Sequence, residues 1–431
     1  MSAPPNAFPA DLAVDFERIK RDIETLAAIG FNPADNGIYR PAFSDADMEA
    51  KRWLLHRIEE NELEPASDGA ANLFGRLRGT TDQPRVCVGS HIDTVPCAGM
   101  LDGTLGVVVG LECLRTLRAA GITPDRTIEL IAFSDEEGRF GGMFGSEAFT
   151  GDLTPEKLLN ACDLNDVKLS DAMLHHGLDP KRALEARRDP AAIAAYLELH
   201  IEQGPVLDRH REQVGIVEQI TGLQSWSLGL TGEANHAGTT PMNYRRDALM
   251  GLADFAHEIP RILEENGGEH SRATIGKAEI KPGAPNSVPG MVIFSLDFRD
   301  ADAGVLAALG EAFQRALGAI SRRRGLQFEI KVQGNLAPVP CAPELVDLVE
   351  AEAVRLGLRH RRMLSGAAHD AQMVGRVAPM VMVFVPSRGG MSHSPAEWTA
   401  WEDIRAGANL MLGALHRIAT PSSGLQAKEN L

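Results

Sequence analysis

Four short apolar runs, each breaking into polar or charged residues, constrain the fold of this 431-residue chain more than any other feature. They are PRVCVGSHIDTV (84–95), TIELIAFSDEEG (127–138), AYLELHIEQG (195–204) and APMVMVFVPS (378–387). Residues 11–30 and 46–62 have the spacing of amphipathic helices, and NLFGRLRG (72–79) reads as a further strand. LGVVVGLECLRTLRAAG (105–121) has helical periodicity and ends at a glycine stop. Strands alternating with helices predict an α/β layered domain with a largely parallel central sheet. Such sheets collect their sites at the carboxyl ends of strands. His91, Glu136, Glu137, His200 and the stretch before His393 all lie at or beyond such ends.

The middle of the chain has a different order. SWSLGLTG, a helix over 245–265, ATIGKAEI, MVIFSLDFRD, a helix over 302–323 and LQFEIKVQG fit an α+β sandwich inserted into the first domain. The expected division is an outer domain of residues 1–219 and 336–431 and an inserted one of residues 220–335. A helix over 343–357 then precedes the last strand and helix. SSGLQAKENL at the C-terminus reads as a loose tail.

Bulk properties exclude several classes. A formal net charge of −16 makes nucleic acid or an anionic membrane a poor partner. No run approaches the roughly 20 apolar residues of a membrane span. The N-terminus MSAPPNAFPADLAVDFERIK lacks a charged-then-apolar signal pattern. Five cysteines at irregular spacing, with no CxxC, argue against a disulfide frame or a thiolate zinc site. The expected location is the cytoplasm.

The polar residues at the strand ends carry the chemistry. In VGSHIDTVPCAGMLDGTLGV (88–107), His91 and Asp93 sit at a strand tip and Asp102 in the following turn, where apolar packing needs none of them. Glu136 and Glu137 in SDEEG repel each other unless a cation neutralises them. Neighbours on a strand point to opposite sides, but at a turn both can reach one centre. Taken singly, SDEEG also reads as a solvated acidic loop, His200 as a core histidine and His393 as a solvated loop residue. Together, imidazoles and carboxylates without thiolate suit Zn, Mn, Co or Ni. Two such ions sharing a carboxylate would polarise a carbonyl and acidify a water. A neighbouring carboxylate could move the proton. Asp93 would orient the His91 ring.

HxD at 91–93, DG at 102–103, EEG at 136–138 and the late His393 resemble the di-metal M20 peptidase superfamily. LHIEQGP (199–205), GEANHAGTTPM (232–242) and SHSPAE (392–397) are similar to its hydantoinase/carbamoylase branch. The resemblance runs from GIYRPAFSDAD (37–47) to the last helix. It implies a di-metal aminopeptidase-like catalytic domain and a lid and dimerisation domain. It also implies a homodimer and two divalent ions per subunit.

By that resemblance His91 and His200 bind one ion, Glu137 and His393 the other, and Asp102 bridges them. Gly103 would let backbone approach closely, and the Asp102–Gly103 peptide is expected to be cis. Glu136 is the implied general base. His236, reaching a neighbouring subunit's site, is the implied oxyanion donor. Gln203, Asn286 and the backbone at Gly366 match substrate-contacting positions. Arg299 is also supported by strand period: Val292, Phe294, Leu296 and Phe298 share one face, Asp297 and Arg299 the other. An outward Arg can pair with a substrate carboxylate, though a solvated Arg fits the same pattern.

Two departures from the branch are visible. EEGRFGG (136–142) is contracted by one residue, and SGAAHDA (365–371) has Ala368 where glycine is commoner. His369 reads as structural. The implied reaction is hydrolysis of a ureido acid, an N-carbamoyl-L-amino acid first and allantoate as the alternative. A di-metal exopeptidase is disfavoured by His200 and LHIEQGP. A non-catalytic binding relative is disfavoured by the intact set of ligands and base.

Overall fold

The computed structural model describes residues 9 and 12–421. The expected tail SSGLQAKENL, and residues 1–8, 10 and 11 of the N-terminal stretch, lie outside them. The chain divides into two compact units: Met1–Glu218, Pro340–Met363 and His369–Leu431 in one, Gln219–Val339 and Leu364–Ala368 in the other.

In the first unit the four apolar runs form the middle of one sheet. Met380–Val385, Ile193–Ile201, Arg85–His91 and Ile128–Phe133 lie side by side in that order, all parallel. Their side chains are buried on both faces, as parallel strands covered by helices require. Thr104–Ala119 covers part of the sheet and is buried at every position from Thr104 to Leu117. Phe16–Ala28, Asp45–Glu60 and Trp401–Ala419 match the expected helices. The flanks are antiparallel. Leu73–Leu77 runs against Ile128–Phe133, Glu64–Ser67 pairs with Leu73–Leu77, and Val214–Ile220 pairs with Met380–Val385. Short flanking strands with mixed burial, such as the alternating Glu64–Ser67, leave a weak pattern in the sequence.

The second unit is an antiparallel sheet with strands in the order Arg272–Thr274, Met291–Asp300, Gly222–Thr231, Gln327–Leu336; Ala278–Lys281 also pairs with Met291–Asp300. Helices Ala248–Asn266 and Ala303–Arg324 bury its core against one face. The strand-period reading of MVIFSLDFRD holds. Val292, Phe294, Leu296 and Phe298 are buried, while Asp297 and Arg299 are not. Phe298 meets Trp226 and Phe313 edge-on at 4.9 and 5.2 Å, geometry that adds to its apolar burial.

Among the described residues no helix is long and apolar enough to cross a membrane. Truncating Phe298 to Ala is expected to destabilise the chain by about 3–5 kcal/mol, read as a lower urea midpoint. Bound metal per chain should not change at low urea.

Candidate metal centre

Two candidate groups of ligand atoms at the carboxyl ends of the parallel strands share one residue, and a further group, Glu198, His200 and His369, adjoins them. His91, Asp102 and His200 make the first; Asp102, Glu137 and His393 make the second. In each group the ligand atoms lie within 4.8 Å of one another. His200 Nε2 is 3.1 Å and His91 Nε2 3.8 Å from Asp102 Oδ1. His393 Nε2 is 3.4 Å from both Asp102 Oδ2 and Glu137 Oε2. One carboxylate thus turns one oxygen to each group, the geometry a shared ligand needs.

Local structure explains how each side chain arrives. Arg85–His91 ends at His91, and Ile193–Ile201 ends one residue past His200. After Ile128–Phe133 the backbone turns at Asp135, whose φ is +54°. Glu136 and Glu137 therefore stand in a turn rather than on alternate faces of a strand. Gln203 and His393 also have positive φ, +56° and +52°. Non-glycine residues in this region are uncommon and concentrate where surrounding structure enforces them.

The turn at Asp102 corrects one expectation. The Asp102–Gly103 peptide is not cis; the cis bond found among the described residues is Lys281–Pro282. The reversal comes instead from Gly103, at φ +61° and ψ −49°. The Thr104 N–H donates to the Asp102 carbonyl at 2.6 Å, closing a tight γ-turn. A Cβ at Gly103 would lie 2.3 Å from the His91 ring, so conformation and space both require glycine.

The imidazoles are oriented by backbone. His91 Nδ1 lies 3.0 Å from the carbonyl of Asp93, and His200 Nδ1 lies 2.9 Å from that of Ile201. Engaging Nδ1 in this way turns each Nε2 towards Asp102. Asp93 therefore acts on His91 through its main-chain oxygen; its nearest carboxylate oxygen is 3.8 Å away. That carboxylate instead accepts the N–H groups of Glu136 at 3.4 Å and Glu137 at 3.2 Å. Glu136 Oε2 reaches within 3.5 Å of His91 Nε2.

Burial shapes the protonation of the cluster. It pushes Glu136 and Glu137 well up, and neighbouring acids add to the rise. It pushes Asp93 and Glu397 to about 7. His91 is pulled down to about 4 by burial and is neutral, the form that binds a metal. Burial also acts to lower His200, but its hydrogen bond and charge contact with Asp102 outweigh that and hold it at about 9. The Glu137 Oε1 atom is buried without a hydrogen-bond partner. A cluster of acids and imidazoles, buried except at His393, with an orphaned carboxylate oxygen fits divalent cations, and neither ligand group contains cysteine.

Gln203 joins this centre directly. Its Nε2 donates to Asp102 Oδ2 at 2.8 Å, and its Oε1 has no partner. Two residues not assigned from sequence also belong here. Ser392 Oγ lies 2.9 Å from Asp102 Oδ2, and Glu397 Oε1 accepts the N–H groups of Leu101 and Asp102. Both lie within SHSPAE, so the motif contained them; nothing in its spacing said that they reach a turn nearly 300 residues away.

The remaining expected site residues belong to the second unit and form two pairs. The Ala237 N–H donates to the Asn286 carbonyl at 2.9 Å, and His236 bridges to Ser287, so the His236 and Asn286 loops run together. His236 Nδ1 accepts the N–H groups of Gly238 and Thr239, which puts the ring proton on the exposed Nε2. Arg299 is held by Asp297 through Nε at 2.8 Å and Nη2 at 3.2 Å, and donates to the Gly366 carbonyl at 2.6 Å. His369 is buried, with its ring centroid 4.5 Å from that of His200.

Comparison with known proteins gives the family. The model of peptidase family M20/M25/M40 matches residues 87–417. An N-carbamoyl-L-amino-acid amidohydrolase of Paenarthrobacter aurescens is 36% identical over 92% of this chain and 96% of its own length. An allantoate amidohydrolase of Escherichia coli K12 is also 36% identical, over 94% and 98%. The crystal structure of a hydantoinase/carbamoylase family amidase from Burkholderia multivorans matches with a TM-score of 0.85 at 34% identity, covering 95% of this chain and 98% of that one. The chain belongs to peptidase family M20/M25/M40. Within it, this is a hydrolase of non-peptide C–N bonds, an amidohydrolase that uses divalent metal.

Two outcomes follow. Gly103→Ala forces a side chain into the His91 ring and should lower metal affinity at least tenfold, read by chelator competition. The second concerns pH. Unfolded carboxyls titrate near roughly 4 and histidine near roughly 6.5. Asp93, Glu397 and His200 are raised on folding. Their stabilisation is complete below those unfolded values and is lost as pH rises through the folded ones. His91, being lowered, acts oppositely, but only below roughly pH 6.5. Between about pH 6.5 and 9 the melting temperature in EDTA should therefore fall, and added Zn or Mn should lessen the fall. A rise in EDTA over that window would contradict the assignment.

Proposed function

We propose that this enzyme hydrolyses the ureido group of an N-carbamoyl-L-amino acid, giving the amino acid, CO2 and ammonia. The observation that carries the reading is the placement of Glu136 beside two ligand groups joined through Asp102. His91, His200 and Asp102 would hold one ion, and Asp102, Glu137 and His393 the second. Zn, Mn, Co and Ni all suit this donor set. When bound, such ions polarise the ureido carbonyl and acidify water.

Glu136 is the general base. It takes the proton of the attacking water and returns it to the departing nitrogen. The amino acid leaves as the amine; the carbamic acid left behind breaks down to CO2 and ammonia. The Nε2–H of His236 is the donor to the developing oxyanion, contributed by the neighbouring subunit of a homodimer built through the inserted unit. The tautomer implied by its main-chain bonds supports that role, because Nδ1 is already occupied as an acceptor. Arg299 receives the substrate carboxylate. Its bonds to Asp297 and Gly366 use Nε–H and one N–H on each terminal nitrogen, leaving one N–H on each free to donate. Asn286, the Gly366 backbone and Gln203 complete the substrate contacts.

Allantoate is the competing substrate, since a relative named for it is equally similar. The test is ammonia release by enzyme reloaded with Mn or Zn, offered a panel of N-carbamoyl-L-amino acids and allantoate. Turnover of the carbamoyl amino acids with little on allantoate is expected; turnover of allantoate alone would overturn the substrate assignment. Glu136→Gln should keep its metal and lose about 10²–10⁴-fold in kcat. Arg299→Ala should raise KM with metal content unchanged, and an unaltered KM would remove Arg299 from the carboxylate site.

A further inference from the structure

Glu397 is buried, at 4% exposure, and faces the turn that carries Asp102. Its Oε1 accepts the Leu101 N–H at 2.9 Å and the Asp102 N–H at 3.1 Å. These two N–H groups precede the helix Thr104–Ala119, so no helical carbonyl serves them. The second oxygen, Oε2, lies 3.3 Å from Ser392 Oγ, which in turn lies 2.9 Å from Asp102 Oδ2. Space has been left for this arrangement. A Cβ at Gly99 would stand 2.5 Å from both Cβ and Oε1 of Glu397.

A buried acid beside another buried acid is unfavourable unless it does something that an apolar residue could not. Here it satisfies two main-chain donors at once and sets the direction of the peptide from which the Asp102 side chain leaves. The same six-residue stretch, Ser392 to Glu397, also carries His393, 3.4 Å from Asp102 Oδ2. One loop therefore grips the Asp102 turn at its backbone, through Glu397, and at its carboxylate, through Ser392 and His393.

We propose that Glu397 is a positioning residue for the metal pair: it clamps the Leu101–Asp102 backbone so that the two oxygens of Asp102 face the two ligand groups. The clamp rests on the reading of Asp102 as the shared ligand. It acts through Asp102 alone and touches no reacting atom.

The test compares Glu397→Gln with Glu397→Ala in the full-length, tag-free protein. Each is stripped and reloaded with Zn, and affinity is read by competition with a chromophoric chelator. Glutamine keeps an Oε1 acceptor for both N–H groups and should hold two ions within about threefold of wild-type affinity. Alanine leaves both donors unserved and should weaken the less tightly held ion by roughly 10–100-fold, with kcat falling more than KM rises. Gly99→Ala provides a second route, since it displaces the Glu397 side chain without deleting it; its affinity should fall between those of the other two. It also decides the matter should Glu397→Ala not fold. Wild-type affinity in Glu397→Ala or Gly99→Ala, or a Glu397→Gln variant as weak as alanine, overturns the clamp. A wild-type protein that binds fewer than two ions overturns the shared-ligand reading itself, and the clamp with it.

Discussion

The arrangement depends on one buried carboxylate. Asp102 lies 3% exposed, with His200 and His91 on the side of one oxygen and His393, Gln203 and Ser392 on the side of the other. Its contacts with His200 and His393 outweigh the effect of burial and hold it well below the usual carboxylate range. Around it, Asp93, Glu136, Glu137 and Glu397 are all raised by burial. Such a cluster is costly to fold around without counter-charge. Divalent cations at its centre would offset that cost, so the feature that strains the unliganded fold is the one that favours metal there.

The parallel sheet makes this concentration possible. Its middle strands need no polar side chains along their length, because both faces are covered. Glu129 and Glu198 lie within these strands, but the candidate site residues stand at the strand ends, where loops from distant parts of the chain converge. His200 and His91 stand at the ends of two adjacent strands, Glu137 follows the next, and His393 follows the fourth. The backbone then sets the angles: positive φ at Asp135, Gln203 and His393, and the γ-turn at Gly103.

Much of this was legible in the sequence because it rests on local pattern. The apolar runs located the central strands, and period two in MVIFSLDFRD separated buried Phe298 from outward Arg299. The HxD, DG and EEG motifs located residues that the fold gathers into the two candidate groups. What was not legible depended on chain geometry or on distance. The division of labour within Asp93, carbonyl to His91 and carboxylate to the glutamates' N–H groups, depends on how the loop folds back. The trans peptide after Asp102 reflects a choice between two ways of reversing the chain that the letters D and G allow equally. Glu397 meets Asp102 across 295 residues, and nothing in SHSPAE distinguishes a buried clamp from a surface acid.

The central claim is that two ions share Asp102, and anomalous diffraction from crystals of the Zn- or Mn-loaded enzyme tests it most directly. Two anomalous peaks about 3.5–4 Å apart, one on each side of the Asp102 carboxylate, are the predicted result. A single peak, or two peaks with Asp102 bound to only one of them, would contradict it.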